Sequence, residues 1–327
     1  MSTTGSVMTH HTPPAMPDIP FPAAINPLTR HAQEHTLDWA YRFGLVRGGA
    51  AVRRVRRLRL GYLGGRTHPR ATFEPLAVAT DWLSWRFLLE EQVEELPPAV
   101  LAATGRDLPR QMAVALQPGE PFADTAVSRA LANLLRRTAR LTSSRWQERF
   151  AADLIDHLRR LRHDASHRGQ RRVPDVESYV ATRRHASGVF LALDIVEAAE
   201  RVEVPTGLAA SPEYQALRAA TNDVVSWTSD IASSGRGRGS MDNLVVVLQH
   251  RQGCSTTAAI RHAAEMVHRR IEDFRAAERT LPAAGNRLVL GPAGGAGLRR
   301  LVGGCETWMR GHRDWLLESQ RRLGCHR

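Results

Sequence analysis

The chain has 327 residues, of which 43% are hydrophobic and 24% are charged, a balance typical of a globular protein rather than a disordered one. Its formal net charge is +12, and all 45 basic residues are arginine. Because lysine is missing from every basic position, a coding preference for arginine explains this charge better than a surface selected to bind nucleic acid or anionic membranes.

The first 20 residues are polar and include four prolines, which predicts a mobile tail over residues 1–20. They lack the basic segment followed by an apolar run that marks a signal peptide. Elsewhere no stretch approaches the roughly 20 apolar residues needed to cross a bilayer. We therefore expect a cytoplasmic protein without a membrane span.

Helical periodicity dominates the rest of the chain, with apolar residues at spacings of three and four and Pro or Gly near the limits of each segment. The pattern predicts helices over Gln33–Phe43, Pro75–Glu95, Ala126–Leu141, Arg145–Arg162, Glu177–Val202, Ser211–Ile231, Thr256–Arg279 and Leu298–Leu323. Short connections join them, without alternating strand patterns or internal repeats. A single all-α domain over residues 21–327 is therefore predicted.

The basic segment Arg47–Arg59 is open to two interpretations. It could be an arm that binds nucleic acid, or the solvated face of a helix. Val52, Val55 and Leu58 recur in it with helical spacing, which favours the helix. Farther along, the segment Ser233–Ser240 is predicted to be a flexible basic loop.

Four glutamates are clustered at the end of the predicted helix Pro75–Glu95. Glu90, Glu91, Glu94 and Glu95 form two overlapping i, i+4 pairs. Carboxylates at a helix C-terminus oppose the helix dipole and repel one another, so the cluster indicates a compensating cation. A charged helix end that is simply solvated is the alternative.

Three oxygen-bearing side chains share one stripe of the predicted helix Ser211–Ile231. Asn222, Ser226 and Asp230 follow one another at steps of four, and each step rotates only about 40° around the helix. Amide, hydroxyl and carboxylate oxygens together are the hard ligands that Mg²⁺ selects. Apolar neighbours indicate that the helix is buried on its other sides, so a polar face turned to water is the weaker interpretation.

Two of the arginine pairs in the sequence are Arg183–Arg184 and Arg321–Arg322. They would be functional only if folding brings them opposite the glutamate cluster and the triad, which we call the two acidic stripes. Arginine grips phosphate groups through two parallel hydrogen bonds. Near the acids such pairs would form a diphosphate site, whereas on the surface they would be solvated charges.

Taken together, these segments resemble the bacterial class I terpene synthases, and the match is collinear from Phe21 to Arg322. The family's DDxxD motif corresponds to Glu90, Glu91 and Glu94. Its NDxxSxxxE metal triad corresponds to Asn222, Ser226 and Asp230. The RRxxxG segment corresponds to RRHASG, which favours Arg183 as the diphosphate sensor. The closing Trp…Arg-Tyr element corresponds to WLLESQRR, with Arg321 at the position of the arginine.

The resemblance implies an all-α bundle around a central apolar cavity, a class I terpenoid synthase domain. Three Mg²⁺ ions, or Mn²⁺ in their place, would be held by the six motif residues and would clamp the diphosphate of a prenyl substrate. The expected diphosphate contacts are Arg183, Arg184, Arg321 and Arg322. Loss of diphosphate then leaves a carbocation that cyclises to a terpene.

Phe87, Trp308 and Trp315 are the expected aromatic lining of that cavity, and with Arg183 they form the predicted catalytic set. An aromatic face stabilises a nearby cation by about 0.5–2 kcal/mol. Farnesyl diphosphate is the favoured substrate, with geranyl, methylated geranyl and geranylgeranyl diphosphate as alternatives. A second copy of the chain is a further candidate partner, which would form a homodimer.

The acids depart from the family pattern, because all three aspartates of the first motif are glutamates and the last glutamate of the triad is Asp230. Arg322 stands where the closing element of the family has a tyrosine. Two other functions are therefore considered. One is a degenerate relative that binds prenyl diphosphates without ionising them. The other is a helical nucleic-acid binder, for which the sequence offers no recognition motif.

Overall fold

A computed structural model describes residues 16–95, 125–166, 173–234, 243–287 and 291–324. Thirteen helices and no strand occur in these ranges, which confirms the predicted all-α class. In chain order the helices are α1 (Thr29–Arg42), α2 (Gly48–Leu58), α3 (Leu60–Thr67), α4 (Phe73–Glu95), α5 (Ala126–Ala139), α6 (Ser144–Ser166), α7 (Val176–Ala186), α8 (Val189–Glu200), α9 (Thr206–Ala209), α10 (Pro212–Ser233), α11 (Leu244–Gln252), α12 (Thr256–Arg287) and α13 (Gly291–Gly324). None of these helices combines the length and the apolar character that crossing a bilayer requires.

Helix α8 lies between two hydrophobic clusters and belongs to both. Val189 and Leu193 join a cluster with residues of α3, α10, α12 and α13. Leu191 and Ile195 join a second cluster with residues of α1, α4, α5 and α6. A helix that is apolar on all sides is typical of the centre of a bundle. Helix α8 therefore connects the two halves of the core.

A buried ion pair fixes the contact between α8 and α10. Asp194 of α8 and Arg218 of α10 are both buried, and Arg218 Nη2 lies 2.9 Å from Asp194 Oδ1. Burial raises the pKa of the Asp194 carboxyl, and the positive charge of Arg218 opposes that shift. Loss of the arginine would leave an uncompensated buried acid, so the pair specifies how these helices meet.

The predicted helix Glu177–Val202 is divided by the structure into α7 and α8, which is a correction to the sequence pattern. The break lies at Gly188, whose φ of +67° is strained for residues with a side chain. A Cβ at Gly188 would lie 2.8 Å from Arg86 Cδ of α4 and 3.1 Å from His157 Cε1 of α6. Glycine therefore permits both the break and the close approach of two other helices.

Part of the predicted N-terminal tail packs against the bundle. Ile19 is fully buried, and its carbonyl oxygen accepts a hydrogen bond from Arg310 Nη1 of α13 at 3.1 Å. The carbonyl oxygen of Phe21 accepts from the same nitrogen at 3.1 Å. Residues just before the predicted boundary at Phe21 therefore contact the bundle, and the boundary itself stays a prediction. Residues 1–15 of the tail lie outside the described residues.

The basic segment Arg47–Arg59 forms α2, as its periodicity predicts. Val55 is buried against the core, while Arg53, Arg56 and Arg57 are exposed. The helix thus presents a basic face to solvent. Of the predicted loop Ser233–Ser240, residues 235–240 lie outside the described part of the chain.

Helices α1 and α3 cross so closely that Gly61 cannot carry a side chain. Its amide donates to Gln33 Oε1 at 2.9 Å, and a Cβ on Gly61 would lie 2.5 Å from the backbone nitrogen of Gln33. We expect Gly61→Ala to lower the free energy of unfolding by about 1–3 kcal/mol, as measured by urea denaturation.

The matched control for this crossing is Gly49→Ala on the exposed face of α2. There the nearest atom to an added Cβ is the flexible Arg53 Nη1, at 3.2 Å. This substitution should be neutral or stabilising by up to about 1 kcal/mol, because alanine favours the helix. Equal unfolding free energies for the two variants would contradict the close crossing.

Candidate functional site

Asn222, Ser226 and Asp230 lie buried on one stripe of α10, as their spacing predicts. Ser226 Oγ donates to Asn222 Oδ1 at 3.0 Å, and Ser187 Oγ donates to the same oxygen at 3.1 Å. Asn222 Nδ2 donates to the carbonyl oxygen of Arg184 at 2.8 Å. The Asn222 amide is therefore turned towards the break between α7 and α8.

Asp230 accepts hydrogen bonds from three directions. Tyr179 OH and the backbone nitrogen of Leu244 both donate to Asp230 Oδ2, the latter at 3.0 Å. Arg183 Nη2 donates to Oδ1 at 3.0 Å. Burial, together with the neighbouring Asp230 carboxylate, raises the pKa of Tyr179 well above its usual value, so its hydroxyl stays a donor at neutral pH.

The chain that connects α10 to α11 is hydrogen-bonded to Asp230 at the end where α11 begins. Asn243 Nδ2 donates to the Asp230 carbonyl oxygen at 2.9 Å, and Leu244 begins α11 with its amide on the Asp230 carboxylate. Residues 235–242, which join these helices, lie outside the described residues. Asp230 therefore positions the start of α11 as well as part of the triad.

The crowding around Asp230 predicts that the glutamate of the family pattern no longer fits there. An extra methylene would push the carboxylate into Tyr179 and Arg183, and overpacking of this kind costs about 1–3 kcal/mol. We expect Asp230→Glu to lower the free energy of unfolding by that amount in chemical denaturation.

Tyr179→Phe offers the compensating change, since it removes the hydroxyl that crowds the longer acid. Tyr179→Phe should therefore lower the free energy of unfolding less in the Asp230→Glu variant than it does in the wild type. Unchanged stability of the single Asp230→Glu variant would show that the site has room for the longer side chain.

The consecutive acids of α4 point in different directions. Glu90 Oε1 accepts from Arg86 Nη1 at 2.6 Å and lies 3.7 Å from His157 Nε2 of α6. Glu91 instead pairs with Arg54 of α2. Glu90 therefore faces the break between α7 and α8, whereas Glu91 faces outward. The side chain of Glu94 lies outside the described residues.

A chain of hydrogen bonds joins the two acidic stripes. Besides Glu90, Arg86 Nη1 donates to the carbonyl oxygen of Ser187 at 3.1 Å. The hydroxyl of that same serine donates to Asn222 Oδ1. Glu90 on α4 is thus linked to Asn222 on α10 through Arg86 and Ser187.

The two adjacent arginines of α7 have different partners. Arg183 binds Asp230 of the triad. Arg184 binds the buried Asp223 through two hydrogen bonds of 2.8 and 2.6 Å, which raise the pKa of its guanidinium. Arg270 Nε of α12 lies 2.8 Å from the same carboxylate. Of these two arginines, Arg183 is therefore the one whose side chain contacts a predicted metal ligand.

The predicted contacts Arg321 and Arg322 belong to the end of α13, and their side chains lie outside the described residues. Their place relative to the triad stays a prediction.

An apolar pocket lies below the junction of the two stripes. Its lining comes mainly from α4 and α8 and consists of His68, Ala79, Trp82, Leu83, Trp85, Arg86, Phe150, Gly188, Leu191, Ala192, Ile195 and Trp308. Of the three predicted aromatic residues, Trp308 lines this pocket. Phe87 and Trp315 lie outside its lining and pack on each other, with ring centroids 5.9 Å apart.

His312 joins these aromatic side chains into a row. Its ring centroid lies 6.3 Å from that of Trp308 and 5.8 Å from that of Trp315. Burial, reinforced by the charges of Arg86 and Arg183, lowers the pKa of His312 to about 3. Burial likewise lowers the pKa of His68 to about 4. Both imidazoles are therefore neutral at pH 7.

The oxygen atoms of the two stripes are suitable ligands for a hard cation, although their carboxylates are paired with arginines. Within the described ranges, no group of three or more His, Cys, Asp or Glu side chains is arranged to hold a metal. Each described carboxylate of the motifs has an arginine partner, and these pairs are Arg86–Glu90, Arg54–Glu91 and Arg183–Asp230. Carboxylate, amide and hydroxyl oxygens fit Mg²⁺, which must compete with the guanidinium groups.

Sequence reasoning missed several residues of this site, namely Arg86, Tyr179, Ser187 and His312. Helical spacing could have indicated two of these residues. Arg86 precedes Glu90 by four positions and Tyr179 precedes Arg183 by four, the spacing that places side chains on one helix face. Ser187 and His312 carry no such signal, because their partners come from distant helices.

Comparison with known proteins places both stripes within one family region. Residues 81–273 match the family model "Terpene synthase family 2, C-terminal metal binding". The (+)-T-muurolol synthase ((2E,6E)-farnesyl diphosphate cyclizing) of Roseiflexus castenholzii is 31% identical over 317 residues, which are 94% of this chain and 93% of that protein. Pentalenene synthase of Streptomyces exfoliatus is 31% identical over 311 residues, 93% of this chain and 91% of that protein.

Solved structures share the fold. The crystal structure of a-eudesmol synthase superposes with a TM-score of 0.84 at 24% identity, over 92% of this chain and 98% of that one. The likeness extends over nearly the whole length of both chains. It therefore covers the bundle that surrounds the pocket as well as the two stripes.

Proposed function

The chain belongs to the terpene synthase family, and we propose that it ionises farnesyl diphosphate with the help of Mg²⁺ and cyclises the carbocation to a sesquiterpene. One observation carries the proposal. Two oxygen-rich stripes from different helices meet through Arg86 and Ser187 beside an apolar pocket. A prenyl diphosphate has the matching character, with an anionic head and an apolar chain.

The head of the substrate would be held at the two stripes. Glu90, Asn222, Ser226 and Asp230 offer the oxygen ligands for divalent cations, with Glu91 and Glu94 completing the predicted set for three ions. Mg²⁺, or Mn²⁺ in its place, supplies positive charge that stabilises the diphosphate as it leaves. Chelation should therefore abolish turnover.

Arginines complete the grip on the diphosphate. Arg183 lies at the triad, and Arg184, Arg321 and Arg322 are the further predicted donors. When the bond between the prenyl carbon and its oxygen breaks, both electrons leave with the diphosphate. N–H donors already aimed at those oxygens stabilise the developing charge without further reorganisation.

The pocket has a cavity of about 20 Å³ in this structure and would have to widen to hold the prenyl chain and exclude water from the carbocation. Trp308 offers an aromatic face there, which can stabilise a cation by about 0.5–2 kcal/mol. His68 lies in the same lining and carries no charge at pH 7, so it does not oppose a cation. Phe87 and Trp315 would act from behind this lining.

The choice of farnesyl diphosphate draws on the relative from Roseiflexus castenholzii, which cyclises that substrate. Geranyl, methylated geranyl and geranylgeranyl diphosphate are the alternatives. A cytoplasmic location and a homodimer remain predictions.

The test is to incubate the purified protein with each of the four prenyl diphosphates and Mg²⁺ or Mn²⁺, and to analyse the extracted products by gas chromatography and mass spectrometry. Farnesyl diphosphate should give a C15 hydrocarbon or alcohol, and EDTA should prevent it. A product from another substrate alone would correct the chain length. No product from any substrate would contradict the proposed reaction.

The arginine partners of the acids support a second candidate, a relative that binds prenyl diphosphates without ionising them. If these ion pairs persist in the presence of Mg²⁺, the acids stay closed to metal. Thermal stabilisation by farnesyl diphosphate together with no product would favour this function.

A further inference from the structure

Arg86 is the side chain of permanent charge among the described residues that line the apolar pocket. A guanidinium group has five N–H donors. The hydrogen bonds that Arg86 makes to described residues, those to Glu90 and to Ser187 O, both leave from Nη1. Nε and Nη2 therefore have no acceptor within the described part of the chain, although the side chain is only 17% exposed.

Glu90 balances the charge of Arg86, and the guanidinium carbon lies 4.7 Å from the centroid of the Phe87 ring, so Nε and Nη2 are the donors that a second anion would use. The surroundings define where the anion would sit. Burial lowers the pKa of His312, and the charges of Arg86 and Arg183 add to this shift, so both guanidinium groups act on the same imidazole. Arg86 also touches the hydrogen-bonded chain that ends at Asn222. Arg86 is therefore linked to Glu90 and Asn222, two of the residues predicted to hold the metal ions of the diphosphate.

We propose that Arg86 is a diphosphate-binding residue of this enzyme, held at the pocket by Glu90 and the Ser187 carbonyl until substrate and metal arrive. The inference rests on the function proposed above. A divalent cation that takes over Glu90 removes one partner of Nη1. Arg86 then retains the Ser187 carbonyl and directs its remaining donors to the phosphate oxygens.

Gly188 makes this arrangement possible. A Cβ there would lie 2.8 Å from Arg86 Cδ and 3.1 Å from its Nη1. The glycine that ends α7 therefore also provides the space through which the arginine reaches the Ser187 carbonyl. Arg86 is thus positioned by two neighbouring residues of one helix break, while its charge is balanced by the acid one turn further along α4.

The proposal predicts opposite changes in two affinities when Arg86 becomes methionine. Inorganic diphosphate, titrated calorimetrically in the presence of Mg²⁺, should bind about tenfold to a hundredfold more weakly to Arg86→Met, the effect of losing charge-assisted hydrogen bonds. Mn²⁺ alone, followed by electron paramagnetic resonance, should bind more tightly, because the guanidinium no longer competes for Glu90.

A merely structural role for Arg86 would weaken both affinities or neither. Arg310→Met is the matched control, because Arg310 also pairs with an acid four residues later, Asp314, and donates to backbone carbonyls. Arg310 is absent from the pocket lining, so its replacement should leave diphosphate and Mn²⁺ binding within about twofold of wild type. Arg86→Lys keeps a charge with fewer donors and should fall between wild type and Arg86→Met.

Circular dichroism melting identifies a variant that has not folded, and in that case Arg86→Lys carries the test. Diphosphate affinity of the folded variants equal to that of wild type would overturn the role of Arg86. Turnover assays of the wild type separate this failure from failure of the proposed reaction. A wild type that binds diphosphate through Arg86 but forms no terpene would support the contact and reject the catalysis.

Discussion

Replacing Asn222 with alanine is expected to reduce terpene formation by about a hundredfold or more, since it removes an oxygen ligand from the centre of the triad. The substitution also releases Ser187 and Ser226, which both donate to Asn222 Oδ1. The link between the two stripes is thereby cut on the α10 side. Product formation under saturating farnesyl diphosphate and Mg²⁺ measures the effect.

Thr228→Ser serves as the control on the same helix. Thr228 is buried and its hydroxyl donates to the Val224 carbonyl oxygen at 2.6 Å, so serine keeps the bond and disturbs only packing. Activity should stay within a few-fold of wild type. Full activity of Asn222→Ala would refute the assignment of the triad, whatever the behaviour of the control.

Glu90→Gln is the substitution on α4 from which we expect the second large loss, about a hundredfold in turnover. Glu90 is the described acid of its motif that faces Asn222 through Arg86 and Ser187. Glutamine keeps the shape but loses the charge that both a cation and Arg86 require. The apparent affinity for Mg²⁺ in turnover assays should fall as well.

Glu91→Gln provides the contrast one residue later. Glu91 pairs with Arg54, and both side chains are partly exposed, at 32% and 45%. Because Glu91 faces Arg54 and not Asn222, this variant should lose less activity than Glu90→Gln, about tenfold rather than a hundredfold. An equal or larger loss from Glu91→Gln would mean that the second acid, and not the first, faces the substrate.

The helices were predictable because apolar periodicity is a local property of the chain. The pattern indicated α4, α10 and α12, and it predicted no strands, which agrees with the part of the chain that the structure describes. It missed the break at Gly188, since a glycine within a continuous apolar run looks like a tolerated helical residue. Only the close approach of Arg86 and His157, from two other helices, shows why that position has no side chain.

The candidate site was predictable as far as helix spacing reaches. The stripe of Asn222, Ser226 and Asp230 follows from steps of four along one helix. Helix spacing does not predict the contacts between different helices. Tertiary packing alone brings Tyr179 to Asp230 and Arg86 to Ser187. The family resemblance supplied the order of the motifs, and the structure added the arginines that pair with the acids.

Asp230 carries a consequence for the timing of the reaction. Its carboxylate accepts from the first amide of α11, and its carbonyl oxygen accepts from Asn243 just before that helix. Any cation that draws on this carboxylate must compete with the Leu244 amide. Binding of a cation at the triad would therefore bear directly on the hydrogen bond that holds the first residue of α11.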